Sequence, residues 1–135
     1  MTDYKSLMAQ AQKARENSYS PYSHFRVGAA LLTKSGKVYT GCNIENAGDS
    51  ATNCAERTAI FKAVSEGERD FEALAIIGGK EGETAEFTAP CGVCRQVIAE
   101  FCDKDFKIIL GDEEKHKVYK LGDLLPYSFT DKDLK

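Results

Sequence analysis

The 135-residue sequence lacks any apolar run long enough to cross a bilayer. Its strongest stretches are VGAALL at 27–32, ALAII at 73–77 and FKIIL at 106–110, far short of the roughly 20 residues a spanning helix needs. It also lacks a basic cluster: 18 Lys and Arg against 21 Asp and Glu leave a net charge of −3. Non-specific nucleic-acid affinity comes largely from neutralised phosphates, so nucleic acid is not an expected partner. Histidine is scarce, and His24 and His116 stand at no recognisable ligand spacing; each reads as a surface or loop residue. Internal repeats and low-complexity linkers are missing too. The opening MTDYKSLMAQAQKAREN reads as an amphipathic helix and not as a charged-then-apolar leader. A cytoplasmic protein with no membrane association is expected, built as a single domain over 1–135, since 42% hydrophobic content supports one core.

Cysteine is present, but in an odd number, five. In a cytoplasmic chain that usage points to metal ligands or catalytic groups before a disulfide framework.

Periodicity sets out the elements. After the N-terminal helix, NSYSPYS at 17–23 gathers residues that disfavour helix, so a turn belongs there. FRVGAALLTKSGKVYTGCN then shows two extended runs around Lys34-Ser35-Gly36-Lys37, a β-hairpin over Phe25 to Cys42. Its first strand is apolar on both faces, so helices should cover both sides of the sheet. A helical period runs over 52–65, with a strand at 73–77, a loop at GGKEGETAE, and a helix from Pro90 to about Cys102. Strands at 106–110 and 117–120 and helical turns at 121–125 and 130–134 complete the chain. The order α-β-β-α-β-α-β-β predicts a three-layer α/β/α sandwich on a mixed five-stranded sheet, in which strands joined by helices run parallel.

Cys91 and Cys94 form C-x-x-C directly after Pro90, close enough on one helix face to reach one ion. A helix N-terminus carries partial positive charge that favours thiolates. A redox pair or two buried cysteines would share this spacing. Asn53-Cys54-Ala55-Glu56 opens another expected helix, so two thiolate-bearing helix starts are available to converge on one zinc. Three thiolates leave one coordination position open, the arrangement of catalytic zinc. A closed structural site needs a fourth ligand, for which Cys42 is the credible candidate; Cys102 lies about 12 Å from Cys94 along a continuous helix. Glu56 fits a capping box with Asn53, which predicts an exposed first turn. Glu56, Ile60 and Val64 nevertheless share one face, which turns the carboxylate toward the core. A carboxylate entering a core beside a metal points to function.

C-A-E at 54–56 with P-C-G-V-C at 90–94 resembles the signature of the zinc deaminases, in its three-cysteine variant. The resemblance is to the small homotetrameric cytidine deaminases. It extends over SPYSHFRVGAALL at 20–32, TGCNIENA at 40–47, TNCAERTAIFKAVSEG at 52–67, PCGVCRQVIAEF at 90–101 and LLPYSF at 124–129.

The resemblance implies one Zn²⁺ per chain on Cys54, Cys91 and Cys94, and Glu56 as proton shuttle. The activity it implies is hydrolytic deamination of free cytidine and deoxycytidine, in pyrimidine salvage, by attack of a zinc-activated water at C4. Glu56 would take that water's proton, deliver it to N3 and help protonate the departing ammonia. The N–H of Ala55 and the carbonyl of Ala89 would hold the base oxygen and the leaving amino group. Arg57 is similar to the family arginine that hydrogen-bonds the ligating sulfurs; otherwise it reads as a surface arginine. Asn43 and Glu45 resemble the ribose partners, though alone their run reads as a polar loop. Phe25 resembles the aromatic packed on the pyrimidine, and alternation also makes it a core residue. Phe129 resembles a phenylalanine that reaches a neighbouring subunit's site in a homotetramer whose sites lie at subunit interfaces. The sequence departs from the family at Asp49, where many members carry a tyrosine that contributes to a neighbour's site. That departure bears on the interface and on tolerated sugar and base substituents. Two other readings stand beside this one: a deaminase of a cytosine-bearing antibiotic such as blasticidin S, and a non-catalytic zinc module.

Overall fold

The computed structural model describes residues 3–85 and 87–135. The first two residues of the expected N-terminal helix and Glu86 of the expected loop lie outside that range. Asp3 caps the helix α1 (Tyr4–Arg15) by accepting from the Ser6 N–H at 3.1 Å. The chain continues through β1 (Phe25–Thr33), β2 (Val38–Cys42), a 3₁₀ turn at Asp49–Ala51, α2 (Ala55–Ser65) and β3 (Phe71–Lys80). It closes with α3 (Gly92–Phe101), β4 (Lys107–Gly111), β5 (His116–Lys120), α4 (Leu121–Leu124) and a 3₁₀ turn at Asp131–Leu134.

The five strands form one sheet in the order β2-β1-β3-β4-β5. All neighbours are antiparallel except β3 and β4, which are joined through α3 and run parallel, as expected of a crossover. Alternation divides the core between two faces. Ala29, Leu31, Leu74, Ile76, Ile108 and Leu110 pack with Ala59 and Ile60 of α2 and Ile98 of α3. On the other face Ala30, Ala73, Ala75, Ile77 and Ile109 meet Leu7, Met8 and Ala11 of α1. The mixed sheet with helices on both faces agrees with the expected layers.

Several boundaries differ from the expectation. The strand expected at 73–77 spans Phe71–Lys80, because Gly78 and Gly79 pair with Val27 and Arg26 and do not begin the loop. Their missing side chains make room for the returning chain: a Cβ at Gly78 would stand 2.8 Å from the Thr88 side chain. The helix expected from 52 starts at Ala55, because Asn53 is held extended against Ile44 by backbone bonds of 2.9 Å in both directions. The helix expected from Pro90 starts at Gly92, with Cys91 as its N-cap. The fourth strand is displaced one residue, to Lys107–Gly111, and the fifth begins at His116, which therefore lies in a strand.

Gly41 determines how closely α2 approaches the sheet. A Cβ there would fall 2.6 Å from both the Ala55 carbonyl oxygen and the Ala59 nitrogen, backbone atoms that cannot yield without moving the helix. Gly41→Ala is expected to lower unfolding stability by about 1–3 kcal/mol. Gly48→Ala, whose Cβ would meet nothing closer than 3.4 Å, should stay within about 0.5 kcal/mol. Urea melts of both variants check this; equal midpoints would show that α2 does not depend on that approach.

Candidate metal centre and active site

The starts of α2 and α3 meet. Cys54 is the N-cap of α2, Cys91 the N-cap of α3, and Cys94 is buried in the first turn of α3. Cys91 Sγ lies 3.7 Å from Cys54 Sγ and 3.4 Å from Cys94 Sγ, and all three sulfurs fall within 4.8 Å of one another. Ligands about 2.3 Å from a tetrahedral zinc lie roughly 3.8 Å apart, so the sulfur spacing fits that ion. Among the described residues this trio is the one cluster of at least three His, Cys, Asp or Glu side chains close enough to share an ion. Cys42, the candidate for closing the shell, is not part of it, nor are Cys102, His24 and His116.

The electrostatics favour a cation. Hydrogen bonding from the Cys94 thiol pulls the Cys54 thiol down to about 5 despite burial, and the Arg57 guanidinium adds to the effect. Cys94 is driven the other way, first by that same bond and then by burial, so it keeps its proton until something better than a proton arrives. Arg57 Nη2 stands 3.3 Å from Cys54 Sγ, one turn along α2. Its charge offsets part of the negative charge the sulfurs would bring to an ion.

Glu56 is only 4% exposed. Burial pushes its carboxyl up to about 7, the negative charge at Cys54 adds to this, and a hydrogen bond from the Cys94 side chain opposes it. The capping-box reading does not hold. Asn53 is not the N-cap, and its Nδ2 donates to Thr58 Oγ1 at 3.0 Å. Glu56 therefore enters the buried face of α2, beside the sulfurs. A carboxyl poised near neutrality next to a metal position is suited to accept and return a proton.

The other expected residues fall into two groups. The backbone pairing of Ile44 with Asn53 lays Asn43 and Glu45 alongside the residue that precedes Cys54. Asn43 is buried: its Oδ1 accepts from Val27 N at 2.9 Å and from the Ser18 hydroxyl, and its Nδ2 donates to the Phe25 carbonyl at 2.8 Å. Its oxygen is therefore saturated, and one N–H remains to donate elsewhere. Glu45 Oε1 accepts from Tyr22 N at 3.0 Å and Ser23 N at 3.2 Å, and the Ser23 hydroxyl bonds to Oε2. That hydroxyl is the main cause of a carboxyl held below its ordinary range. Glu45 and Asp49 line a cleft of about 250 Å³ with Tyr22, Ser23, Asn46 and Thr52. Phe25, half-buried, opens β1 beside this group.

Ala55 is the first residue of α2, where an N–H has no intrahelical acceptor. Ala89 lies exposed two residues before Cys91. Phe129 is fastened through its carbonyl to Gln96 Nε2 at 2.7 Å, and its side chain is 56% exposed. The sequence reading placed a turn over 17–23 but missed that Tyr22 and Ser23 within it grip Glu45, and it missed Arg95. Arg95 donates from Nε to the Pro90 carbonyl at 2.7 Å and from Nη1 to the Leu124 carbonyl at 2.6 Å. No pattern along the chain marks these partners; a charged residue beside a ligand cysteine on a helix reads as a solvated face.

Residues 1–110 match the family model described as the cytidine and deoxycytidylate deaminase zinc-binding region. A cytidine deaminase of Sporosarcina psychrophila is 53% identical over 98% of this chain and 95% of its own length. One from Halalkalibacterium halodurans is 49% identical over 98% of both. The crystal structure of cytidine deaminase from Burkholderia pseudomallei superposes with a TM-score of 0.86 at 46% identity, covering 96% of this chain and all of that one.

Cys91→Ala is expected to lose the metal on dialysis and to melt at a lower temperature, because ion binding couples to folding. Cys42→Ala and Cys102→Ala should keep one zinc per chain by metal analysis. Full zinc in Cys91→Ala would reject this ligand set.

Proposed function

Because the chain belongs to the cytidine and deoxycytidylate deaminase family, we propose that it converts free cytidine and deoxycytidine to uridine and deoxyuridine, with release of ammonia. The observation that carries this reading is a buried carboxyl, Glu56, set against three clustered sulfurs whose spacing fits a metal with an open position. Zinc bound by Cys54, Cys91 and Cys94 supplies Lewis-acid activation of a water molecule.

The rest of the chemistry falls to the chain's own residues. Glu56 takes the proton of the water that adds to C4 and passes it to N3. It then takes the remaining proton of the hydroxyl on C4 and gives it to the amino group as the C4–N bond breaks and the C4 carbonyl forms. Burial raises its carboxyl to about 7, which suits a group that must both take and return a proton near neutral pH. The Ala55 N–H, at the positive end of α2, holds the base oxygen, and the Ala89 carbonyl accepts from the leaving amino group. Arg57 steadies Cys54 and balances the sulfur charge.

On the ribose side, an ionised carboxylate offers about four acceptor positions. Tyr22 N, Ser23 N and the Ser23 hydroxyl use three at Glu45, leaving one for the ribose 3′-hydroxyl. Asn43 contributes its remaining N–H, and Phe25 packs on the base. A 3′-phosphate would remove the donor and set like charge beside Glu45, so oligonucleotides are poor substrates. The reading is favoured over an antibiotic deaminase, since the curated relatives that match the whole chain are named as cytidine deaminases.

We further assign one catalytic domain to 1–135, a cytoplasmic location, and a homotetramer in which Phe129, exposed on α3's side, reaches a neighbour's site. Among the described residues no helix is long and apolar enough to cross a membrane. By the same resemblance, Asp49 stands where many members carry a tyrosine that contributes to a neighbour's site.

The test is ammonia release from cytidine, deoxycytidine, cytidine 3′-monophosphate and blasticidin S by wild type and Glu56→Gln. The two nucleosides should react, the other compounds should not, and Glu56→Gln should keep its zinc while losing about 10²–10⁴-fold or more in rate. Near-normal turnover by a zinc-loaded Glu56→Gln enzyme would remove Glu56 from the chemistry.

A further inference from the structure

Arg95 follows the buried Cys94 on α3, yet its side chain does not extend into solvent. It turns back, with Nε 2.7 Å from the Pro90 carbonyl oxygen and Nη1 2.6 Å from that of Leu124. Both acceptors lie where a helix cannot serve them. Pro90 precedes the N-cap of α3, so its carbonyl stands outside the helical ladder, and Leu124 is the last residue of α4. Pro90 is fully buried, so its carbonyl is poorly placed to turn to water instead.

The Pro90 carbonyl shares a rigid peptide plane with the Cys91 nitrogen. Fixing the oxygen fixes that plane and the N–Cα bond of Cys91; with Cys91 also held as the N-cap of α3, the direction of its side chain follows. Cys91 needs such support, because it is the exposed member of the sulfur trio. A guanidinium suits the task because its planar fork reaches two diverging acceptors at once, whereas an ammonium is a single point on a flexible stem. The adjacent Gln96 donates to the Phe129 carbonyl at 2.7 Å, so consecutive side chains of α3 hold both ends of segment 124–129. Arg95 alone of the two also touches the backbone next to a sulfur.

We propose that Arg95 is a positioning residue of the metal centre: by holding the Pro90–Cys91 peptide plane it aims the Cys91 sulfur, and it ties that plane to the end of α4. This rests on reading Cys91 as a metal ligand.

The experiment loads wild type, Arg95→Met, Arg95→Lys and Gln96→Ala with Co²⁺. It records the sulfur-to-cobalt charge-transfer absorption and follows transfer of the metal to a chelator. Arg95→Met should show an altered band and roughly 10-fold faster transfer, the lower end of what removing a residue that orients a ligand costs. Arg95→Lys should lie between it and wild type, and Gln96→Ala should match wild type. A wild-type band and transfer rate in Arg95→Met overturns the proposal, as does an equal change in Gln96→Ala, which would assign the effect to segment 124–129. Should Arg95→Met fail to fold, Arg95→Lys decides, and its identity with wild type in both readouts overturns the proposal. A wild type without a thiolate band overturns the ligand reading itself, and the proposal with it, whatever the variants do.

Discussion

Three sulfurs held within 4.8 Å of one another are a standing electrostatic demand. They cannot all be thiolates without a cation, and the structure has arranged for one not to be: Cys54 gives up its proton readily because Cys94 keeps its own. Two helix starts supply the positive potential that makes such a cluster tolerable at all. The negative charge at Cys54 holds Arg57 against that sulfur, while burial on the inner face of α2, with the same charge adding to it, keeps the Glu56 carboxyl hard to ionise. Sulfur cluster, arginine and raised carboxyl are thus parts of one charge balance.

The sheet exists in a form that lets those helix starts meet. Gly41 allows α2 to lie on the sheet, and the parallel β3–β4 pair returns α3 to the same face. The isolated pairing of Ile44 with Asn53 then stops α2 from beginning early, so Cys54 sits at the cap and not inside the helix. That pairing also places Glu45, and the cleft it lines, next to the start of α2. A single short backbone bridge therefore sets both where Cys54 sits and how far Glu45 stands from it.

Much of this was legible along the chain. Two cysteine motifs at helix starts, and a Glu that shares a face with Ile60, are local patterns, and each reported a local fact correctly. Where the reading failed, a long-range contact had overridden a local preference. Asn53 has the chemistry of an N-cap but is spent on Thr58 and on Ile44. Gly78 and Gly79 have the composition of a loop but lie in β3, where their small size admits the chain carrying Thr88. Asn43 and Glu45 acquire meaning only through Val27, Phe25 and the Ser23 turn, and Arg95 only through Leu124, 29 residues away. No periodicity encodes such partners, so Asn43 and Glu45 stood out through family resemblance alone and the Arg95 contact not at all.

If one ion on three sulfurs works with one buried carboxyl in each chain, activity must track zinc one for one. Titrating metal-stripped protein with zinc, while following the absorbance change as cytidine becomes uridine, tests it most directly. The rate should rise linearly from near zero and break at one zinc per chain. Full activity before any zinc is added, or a break at two per chain, would contradict it.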